Sequence, residues 1–289
     1  TTRLVGSEMC IRDRNKIIVL SKINDIMGIL IRREFKMLKL EDFQAAKKRV
    51  DEVILPTHLI HSEAFSEESG NDVYIKPENL QKTGAFKIRG AYNKIMKLDD
   101  EAKKKGLIAS SAGNHAQGVA YAAKKLGVKA TICMPAHTPL IKVDATKAHG
   151  ADVVLYGEAY DEAYEKAVEL QKSEGYTFVH PFDDEDVMEG QGTIALEIME
   201  ELPDVDYILV PIGGGGLISG IACAAKQINP SVKIVGVEPE GAASALAAVE
   251  DDQLVKLSEV STIADGTAVK QIGETPFCLL YTSPSPRDA

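Results

Sequence analysis

Short apolar runs of strand character alternate with helix-period segments along most of this 289-residue chain, and that alternation restricts it to an α/β fold. Leu107 to Ala109 reads as a strand, Ala116 to Leu126 as an Ala-rich helix and Lys129 to Met134 as the next strand. The order recurs in Asp152 to Tyr156, Ala159 to Ser173 and Thr177 to Val179, then in Tyr207 to Pro211, Leu217 to Asn229 and Lys233 to Glu238. Upstream, Leu40 to Val53 has helical spacing, Val73 to Lys76 is a short strand, and Ala85 to Met96 returns to helix before the charged Asp99 to Lys105 segment. Strands separated by helices of this length predict parallel sheets covered on both faces, a three-layer arrangement. Ligands of such sheets bind at the carboxyl ends of strands. Two turns at such ends, Ser110 to Gly113 and Gly213 to Gly216, are therefore where chemistry is expected.

Composition sets the outer limits. With 45% hydrophobic and 26% charged residues the chain suits a soluble globular protein of one large domain or two modest ones. No apolar run reaches membrane-spanning length: Lys22 and Asp25 interrupt Ile17 to Ile31 and Arg32-Arg33 ends it, so it is not read as a signal peptide. A net charge of −10 argues against nucleic acid as the main partner, because a phosphate backbone requires a clustered basic face. Of the four cysteines, Cys10 and Cys278 lie near the ends, and Cys133 and Cys223 are too few for a disulfide framework, which favours a reducing cytoplasm.

The two ends read as foreign to the rest. One DNA string can encode Leu4 to Asp13 on one strand and, in a shifted frame, Leu279 to Arg287 on the other, as translated sequencing adapter would. Residues 1–14 and 278–289 are accordingly left out of the fold reading. Residues 15–36 precede a plausible start at Met37 and are read with them as a non-native leader over 1–36, a native helix being the competing view.

Three segments carry the chemistry. Ile208 to Ile212 is a buried-strand run, Gly213, Gly214, Gly215 and Gly216 follow it, and Leu217 opens a helix. Consecutive glycines let bare backbone N–H groups approach an anion, and the helix N-terminus adds partial positive charge. No lysine-serine pair follows, so the loop is not a Walker A motif. A Rossmann dinucleotide turn is its rival, with Glu238 at about the spacing of a ribose partner, and a tight turn that binds nothing is the bland reading. Lys87 precedes an apolar helix, so its amine can be held where desolvation lowers its pKa and lets it condense with an aldehyde; taken alone, a solvated surface lysine is the commoner case. Ser110-Ser-Ala-Gly-Asn-His115 ends at a helix N-terminus with hydroxyl, amide and free N–H groups suited to a carboxylate, or equally to capping the helix. His115 has no second His or Cys at ligand spacing, so a zinc site is rejected.

Together, Lys82-Thr-Gly-Ala-Phe-Lys-Ile-Arg-Gly-Ala91, Ser111-Ala-Gly-Asn-His115 and the four glycines resemble the threonine dehydratases, fold-type II pyridoxal 5'-phosphate (PLP) enzymes. The resemblance runs from about Met37 to Phe277 and implies two parallel-sheet three-layer domains of the tryptophan synthase β-like kind, incomplete at the C-terminus. A larger cofactor domain would hold residues 37–79 and 184–277, and a smaller substrate-side domain residues 80–183. It implies Lys87 as the catalytic, cofactor-bonded residue, Phe86 beside the cofactor ring, Asn114 on its ring oxygen and Gly213 to Leu217 on its phosphate. Ser111, Ala112, Gly113, Asn114 and His115 would bind the substrate carboxylate. The implied reaction is dehydration and deamination of L-threonine to 2-oxobutanoate and ammonia, with the cofactor phosphate as acid for the departing hydroxyl. The implied setting is a cytoplasmic homo-oligomer when full length, serving isoleucine biosynthesis or threonine catabolism.

The departures matter as much. Ala85 stands where relatives often have serine, and Ala112 where serine racemases carry a second serine; without that hydroxyl a proton donor is missing, which favours elimination over racemization. Some relatives bind a divalent ion near Glu238-Pro-Glu-Gly-Ala242, but Ser244 replaces an aspartate, so a solvated or capping Glu238 and no metal is expected. His180-Pro-Phe-Asp183 and Gly190-Gln-Gly-Thr193 read as structural loops bordering the site, and Glu250-Asp-Asp252 as a solvated loop. The family's C-terminal serine facing the pyridine nitrogen has no counterpart here, so weak or no turnover is expected of the chain as written. The alternatives are an L-serine dehydratase or racemase and, from another class, a non-catalytic nucleotide-binding Rossmann module.

Overall fold

The computed structural model describes residues 3–6, 17–23 and 38–281, with side chains from 38 to 279. In chain order its elements are β1 (Arg3–Gly6), β2 (Ile17–Ile23), α1 (Leu40–Val50), β3 (Ile60–His61), α2 (Glu63–Ser69), β4 (Asp72–Ile75), α3 (Lys87–Lys97), α4 (Asp100–Lys105), β5 (Leu107–Ser110), α5 (Asn114–Leu126) and β6 (Ala130–Met134). There follow α6 (Leu140–Ala148), β7 (Asp152–Leu155), α7 (Tyr160–Glu174), β8 (Thr177–Phe178), α8 (Glu185–Glu201), β9 (Tyr207–Pro211), α9 (Gly216–Ile228), β10 (Lys233–Pro239), α10 (Ser244–Glu250) and α11 (Glu274–Tyr281). They fall into two compact units: residues 46–55 and 79–190, the lysine unit, and the remainder, the tetraglycine unit.

The lysine unit is built on a four-stranded sheet in the order β7-β6-β5-β8, every pairing parallel. Its inner strands β5 and β6 are buried at every residue, which is why Leu107-Ile-Ala-Ser110 and Ala130-Thr-Ile-Cys-Met134 are continuous rather than alternating apolar runs. The edge strand β7 is exposed at Asp152 and Leu155. Ile88, Ala91 and Ile95 of α3 join Val119 and Ala123 of α5 in one core with Ile132 and Met134. The two helices can meet closely because position 118 is glycine: a Cβ there would stand 3.1 Å from the Ile88 nitrogen. Local chemistry sets the helix ends, as where Asp99 accepts from the Ala102 N–H to start α4 and Gly127, at φ +66°, turns the chain out of α5.

The tetraglycine unit carries a six-stranded sheet, β2-β10-β9-β1-β4-β3, whose inner pairings are parallel and whose outermost strands, β2 and β3, run antiparallel to their neighbours. The expected parallel pairing holds through the inner strands, and the antiparallel strands stand at the two edges. Residues 3–6 and 17–23, set aside in the sequence reading, form strands of it: Leu4 and Val5 pair with both β4 and β9, and β2 lies along β10. An inner strand satisfies the N–H and C=O groups of both neighbours, which outweighs the absence of a local turn signal. The Met37 start, Cys10, the remainder of the leader and residues 282–289 of the tail lie outside the described residues.

One loop assignment fails. Gly190 to Thr193 lies inside the 17-residue α8. Its glycines serve close approach rather than turning: a Cβ at Gly190 would stand 2.5 Å from the Arg89 carbonyl oxygen, and one at Gly192 would stand 2.4 Å from the Phe43 ring. Among the described residues no helix is long and apolar enough to cross a membrane.

Candidate active site

Lys87 is the first residue of α3, and the segment before it is tied down. The Gln81 side chain exchanges two hydrogen bonds with the backbone of Leu55, at 2.9 and 2.6 Å, and Gly84, at φ +70°, donates to the Gln81 carbonyl at 2.7 Å. A lysine so delivered cannot swing freely into solvent. It is partly buried, its Nζ donates to the Pro181 carbonyl at 2.7 Å, and it lies 5.3 Å from the centroid of the Phe86 ring. Desolvation brings its pKa down to about 8, so an appreciable fraction is neutral at mildly alkaline pH.

The Ser111–His115 loop is in the same unit, at the carboxyl end of β5. The Ser111 hydroxyl accepts from the Gly113 N–H at 3.2 Å, so it braces the turn; α5 begins at Asn114 with Gly113 as its cap residue and no side-chain cap. The capping reading of Ser and Asn therefore does not hold here. Ser111, Ala112, Gly113 and Asn114 are each partly exposed, and the Asn114 amide has no hydrogen-bond partner among the described residues. His115 is buried and anchored, its Nε2 2.8 Å from the Val179 carbonyl, and its Nδ1 has no partner among the described residues. Burial and then the Lys87 charge push its pKa down to about 3, which keeps the ring neutral, with the proton on Nε2.

Gly213 to Leu217 belong to the tetraglycine unit, between β9 and α9. Gly215 has φ +90°, a left-handed conformation, and a Cβ on it would stand 2.6 Å from Pro276 Cβ and 3.0 Å from Ile272 Cγ1. Gly213 is nearly as confined, with a Cβ 3.2 Å from the Gly266 carbonyl oxygen. The Gly214 carbonyl accepts from Gly273, while the N–H groups of Gly213 to Gly216 have no backbone partner among the described residues. Bare N–H groups at the start of a 13-residue helix form an anion cradle.

Glu238 is fully buried, which corrects the solvated reading and leaves the capping one. Its two carboxylate oxygens accept from the Ala245 and Leu246 N–H groups at 2.9 Å each. Burial nonetheless raises its pKa to about 7. Fully buried and bonded to the start of α10, the carboxylate is not presented to a ribose. Ser244 is buried beside it.

An amine that titrates near neutrality, a polar loop with an unpartnered amide and an anion cradle are the fittings that pyridoxal phosphate requires. Residues 50–283 match the family model described as pyridoxal-phosphate dependent enzyme, and the chain belongs to that family, with its α/β fold of type II. Within it the chain sits among the threonine dehydratases. It is 50% identical over 244 residues to an L-threonine ammonia-lyase of Thermotoga maritima and 52% identical over 244 residues to one of Geobacter sulfurreducens, matches that cover 84% of this chain and 61% of each relative. The chain thus spans about three fifths of the length of those relatives. A catabolic L-threonine dehydratase of Staphylococcus aureus is 48% identical, over 83% of this chain and 70% of its own. Among solved structures, the processed threonine deaminase isoform 2 of Solanum lycopersicum superposes with a TM-score of 0.81 at 42% identity, covering 92% of this chain and 76% of that one. Maize serine racemase gives 0.83 at 35% identity, covering 86% and 75%.

Sequence reasoning missed the Pro181 carbonyl. A backbone oxygen has no residue-type signature; the only cue was that His180 to Asp183 matched the family with no role attached.

Proposed function

We propose that this chain is a PLP-dependent ammonia-lyase that dehydrates and deaminates L-threonine to 2-oxobutanoate and ammonia. The observation that carries the proposal is the Lys87 amine, desolvated to a pKa of about 8 and held by a neutral carbonyl instead of a carboxylate. The names of the relatives support the substrate. Bound cofactor supplies an electron sink that makes the Cα proton of an amino acid removable. In this reading Lys87 would hold the cofactor and, as a neutral amine, would accept the substrate's Cα proton at Nζ. Phe86 would lie beside the cofactor ring, the Asn114 amide would serve its ring oxygen, and the N–H groups of Gly213 to Leu217 would hold its phosphate. Ser111 to His115 receive the substrate carboxylate at the N-terminus of α5. A neutral His115 there adds no charge to compete with Lys87 for a proton. Ala112 offers no hydroxyl as a second proton donor, which favours elimination over racemization.

The same reading takes residues 37–79 and 184–277 as the cofactor domain, 80–183 as the substrate-side domain and the two ends as non-native. It makes the full-length protein a cytoplasmic homo-oligomer in isoleucine biosynthesis or threonine catabolism, with no nucleic-acid partner. The test is direct. Supplied with pyridoxal phosphate, the protein should develop a visible absorbance band that Lys87→Ala lacks, and such turnover as it shows, expected to be weak, should release 2-oxobutanoate from L-threonine faster than pyruvate from L-serine, with no D-enantiomer. A band that survives in Lys87→Ala would overturn the lysine assignment, and preference for serine or formation of D-serine would overturn the substrate.

A further inference from the structure

His180 to Asp183 carries more contacts than a bordering loop requires. The His180 Nδ1 accepts from the Asp183 N–H at 2.8 Å and from the Phe182 N–H at 3.4 Å, so the imidazole closes its own turn as an Asn or Asp side chain would. Just upstream, the Val179 carbonyl receives the His115 Nε2–H at 2.8 Å, and the Val179 N–H donates to Ile108 of β5 at 2.9 Å. Between these two anchors lies Pro181, whose ring fixes φ, while the bonds from the following N–H groups of Phe182 and Asp183 to His180 Nδ1 restrain the rotation that sets the direction of its carbonyl. That carbonyl points at the Lys87 amine. Two histidines drawn from different elements thus fix the peptide on either side of a single acceptor.

Resting on the assignment of Lys87 as the cofactor lysine, we propose that the Pro181 carbonyl is the docking acceptor of the Lys87 amine whenever that amine is not bonded to cofactor, and that His180 and His115 are the positioning residues that aim it. The chemistry suits a lysine that must act as a base. A carboxylate at this position would stabilise the ammonium ion and raise its pKa. A carbonyl carries no net charge: it accepts from –NH₂ as well as from –NH₃⁺, so it keeps the nitrogen in place in both states, and it favours the ammonium form far less than a carboxylate would. The charged groups that bear on this assembly are Lys87, whose charge acts on both histidines, and Asp183 and Asp184, whose charges act on His180 and oppose its desolvation. Burial lowers the pKa of both histidines, and a neutral His180 is what its role requires, because a protonated Nδ1 could not accept.

The test uses the full chain prepared without cofactor, so that it does not depend on turnover. Competitive acetylation at graded pH, read at Lys87 by mass spectrometry, gives the titration midpoint of that amine, expected near 8 in the parent protein. In His180→Ala the turn loses its acceptor and the ammonium ion loses a partner while burial remains, so the midpoint falls by about one pH unit. His180→Asn, whose amide oxygen can accept from the same two N–H groups, restores it to within a few tenths. Where His180→Ala fails to fold, Pro181→Gly, which keeps the carbonyl but frees its direction, is read the same way. A midpoint that does not move overturns the proposal. So does one that rises toward an ordinary lysine value, since the turn would then serve only to exclude water, and so does a failure of His180→Asn to restore it. If the midpoints behave as expected but Lys87→Ala still gains the visible band with pyridoxal phosphate, it is the cofactor assignment that falls and not the docking geometry.

Discussion

Lys87 and Lys97 stand at opposite ends of α3, and burial acts on both in the same sense, yet their pKa values move in opposite directions. Lys97 meets Glu189 at 2.7 Å and Asp186, and its neighbour on the helix face, Lys94, meets Asp184 and Asp186 at 2.9 Å each. For both, desolvation is the largest single influence, but the carboxylates together outweigh it and raise the pKa. Among the described residues Lys87 meets a carbonyl and no carboxylate, so desolvation goes unopposed. A carboxylate about 4 Å from an ammonium contributes roughly 4 kcal/mol at the effective dielectric near a protein surface, which no single neutral dipole matches. The same segment, 181–189, supplies the partner in every case. What it presents, an oxygen with charge or an oxygen without, separates a structural lysine from a chemical one.

The comparison breaks first if the two kinds of lysine are interchangeable. Lys87→Ala is expected to abolish the visible band and lower threonine turnover on the order of 10³-fold, whereas Lys94→Ala keeps the band; absorbance and 2-oxobutanoate release measure both. Next, giving Lys87 a carboxylate should make it resemble its neighbours: Phe86→Glu, replacing a ring whose centroid lies 5.3 Å from the amine, is expected to raise the Lys87 midpoint by roughly 1–3 pH units in cofactor-free protein, read by competitive labelling.

Glu238 extends the rule to an acid in the other unit, since it too is buried without a charged partner and shifts toward its neutral form. Its pKa of about 7 in the folded chain exceeds the 4.5 of a free glutamate. Its contribution to stability is therefore fully present below about pH 4.5 and lost as pH rises through 7, an amount of about 3 kcal/mol. Urea unfolding across that range should show the decline, and Glu238→Gln should flatten it. The smallest expected effect is at the charged end of α3. Lys97→Ala should destabilise by about 1–2 kcal/mol, less than for a fully buried pair because Lys97 is partly exposed and Arg49 and Asn93 still face Glu189. The Lys87 midpoint should not move in that variant.

Much of the fold was legible because local pattern and tertiary environment agree. The runs at β5, β6, β9 and β10 are mainly apolar because their residues are mostly buried, and α5 and α9 follow polar or glycine turns. The 17-residue α8 was passed over although Ile194, Ala195, Ile198, Met199 and Leu202 repeat at helical spacing, because Gly190 and Gly192 look like breakers. Only the approach of Arg89 and Phe43 explains why glycine stands there. The strands at residues 3–6 and 17–23 were not anticipated because both stretches were set aside as foreign to the rest of the chain; their pairing with β4, β9 and β10 involves segments remote in sequence.

The site divides along the same line. The lysine motif, the Ser111–His115 loop and the four glycines each carry their chemistry within a few consecutive residues, so side-chain type and backbone freedom could be read directly from the order of amino acids. The depressed amine of Lys87 was expected from its motif, but the raised values of Lys94 and Lys97 on the same helix were not legible, because they depend on whether a carbonyl or a carboxylate from a segment about ninety residues away comes within hydrogen-bond reach. Sequence determines the groups a chain possesses. Their charge state follows from desolvation and Coulomb interactions that exist only once distant segments have packed together.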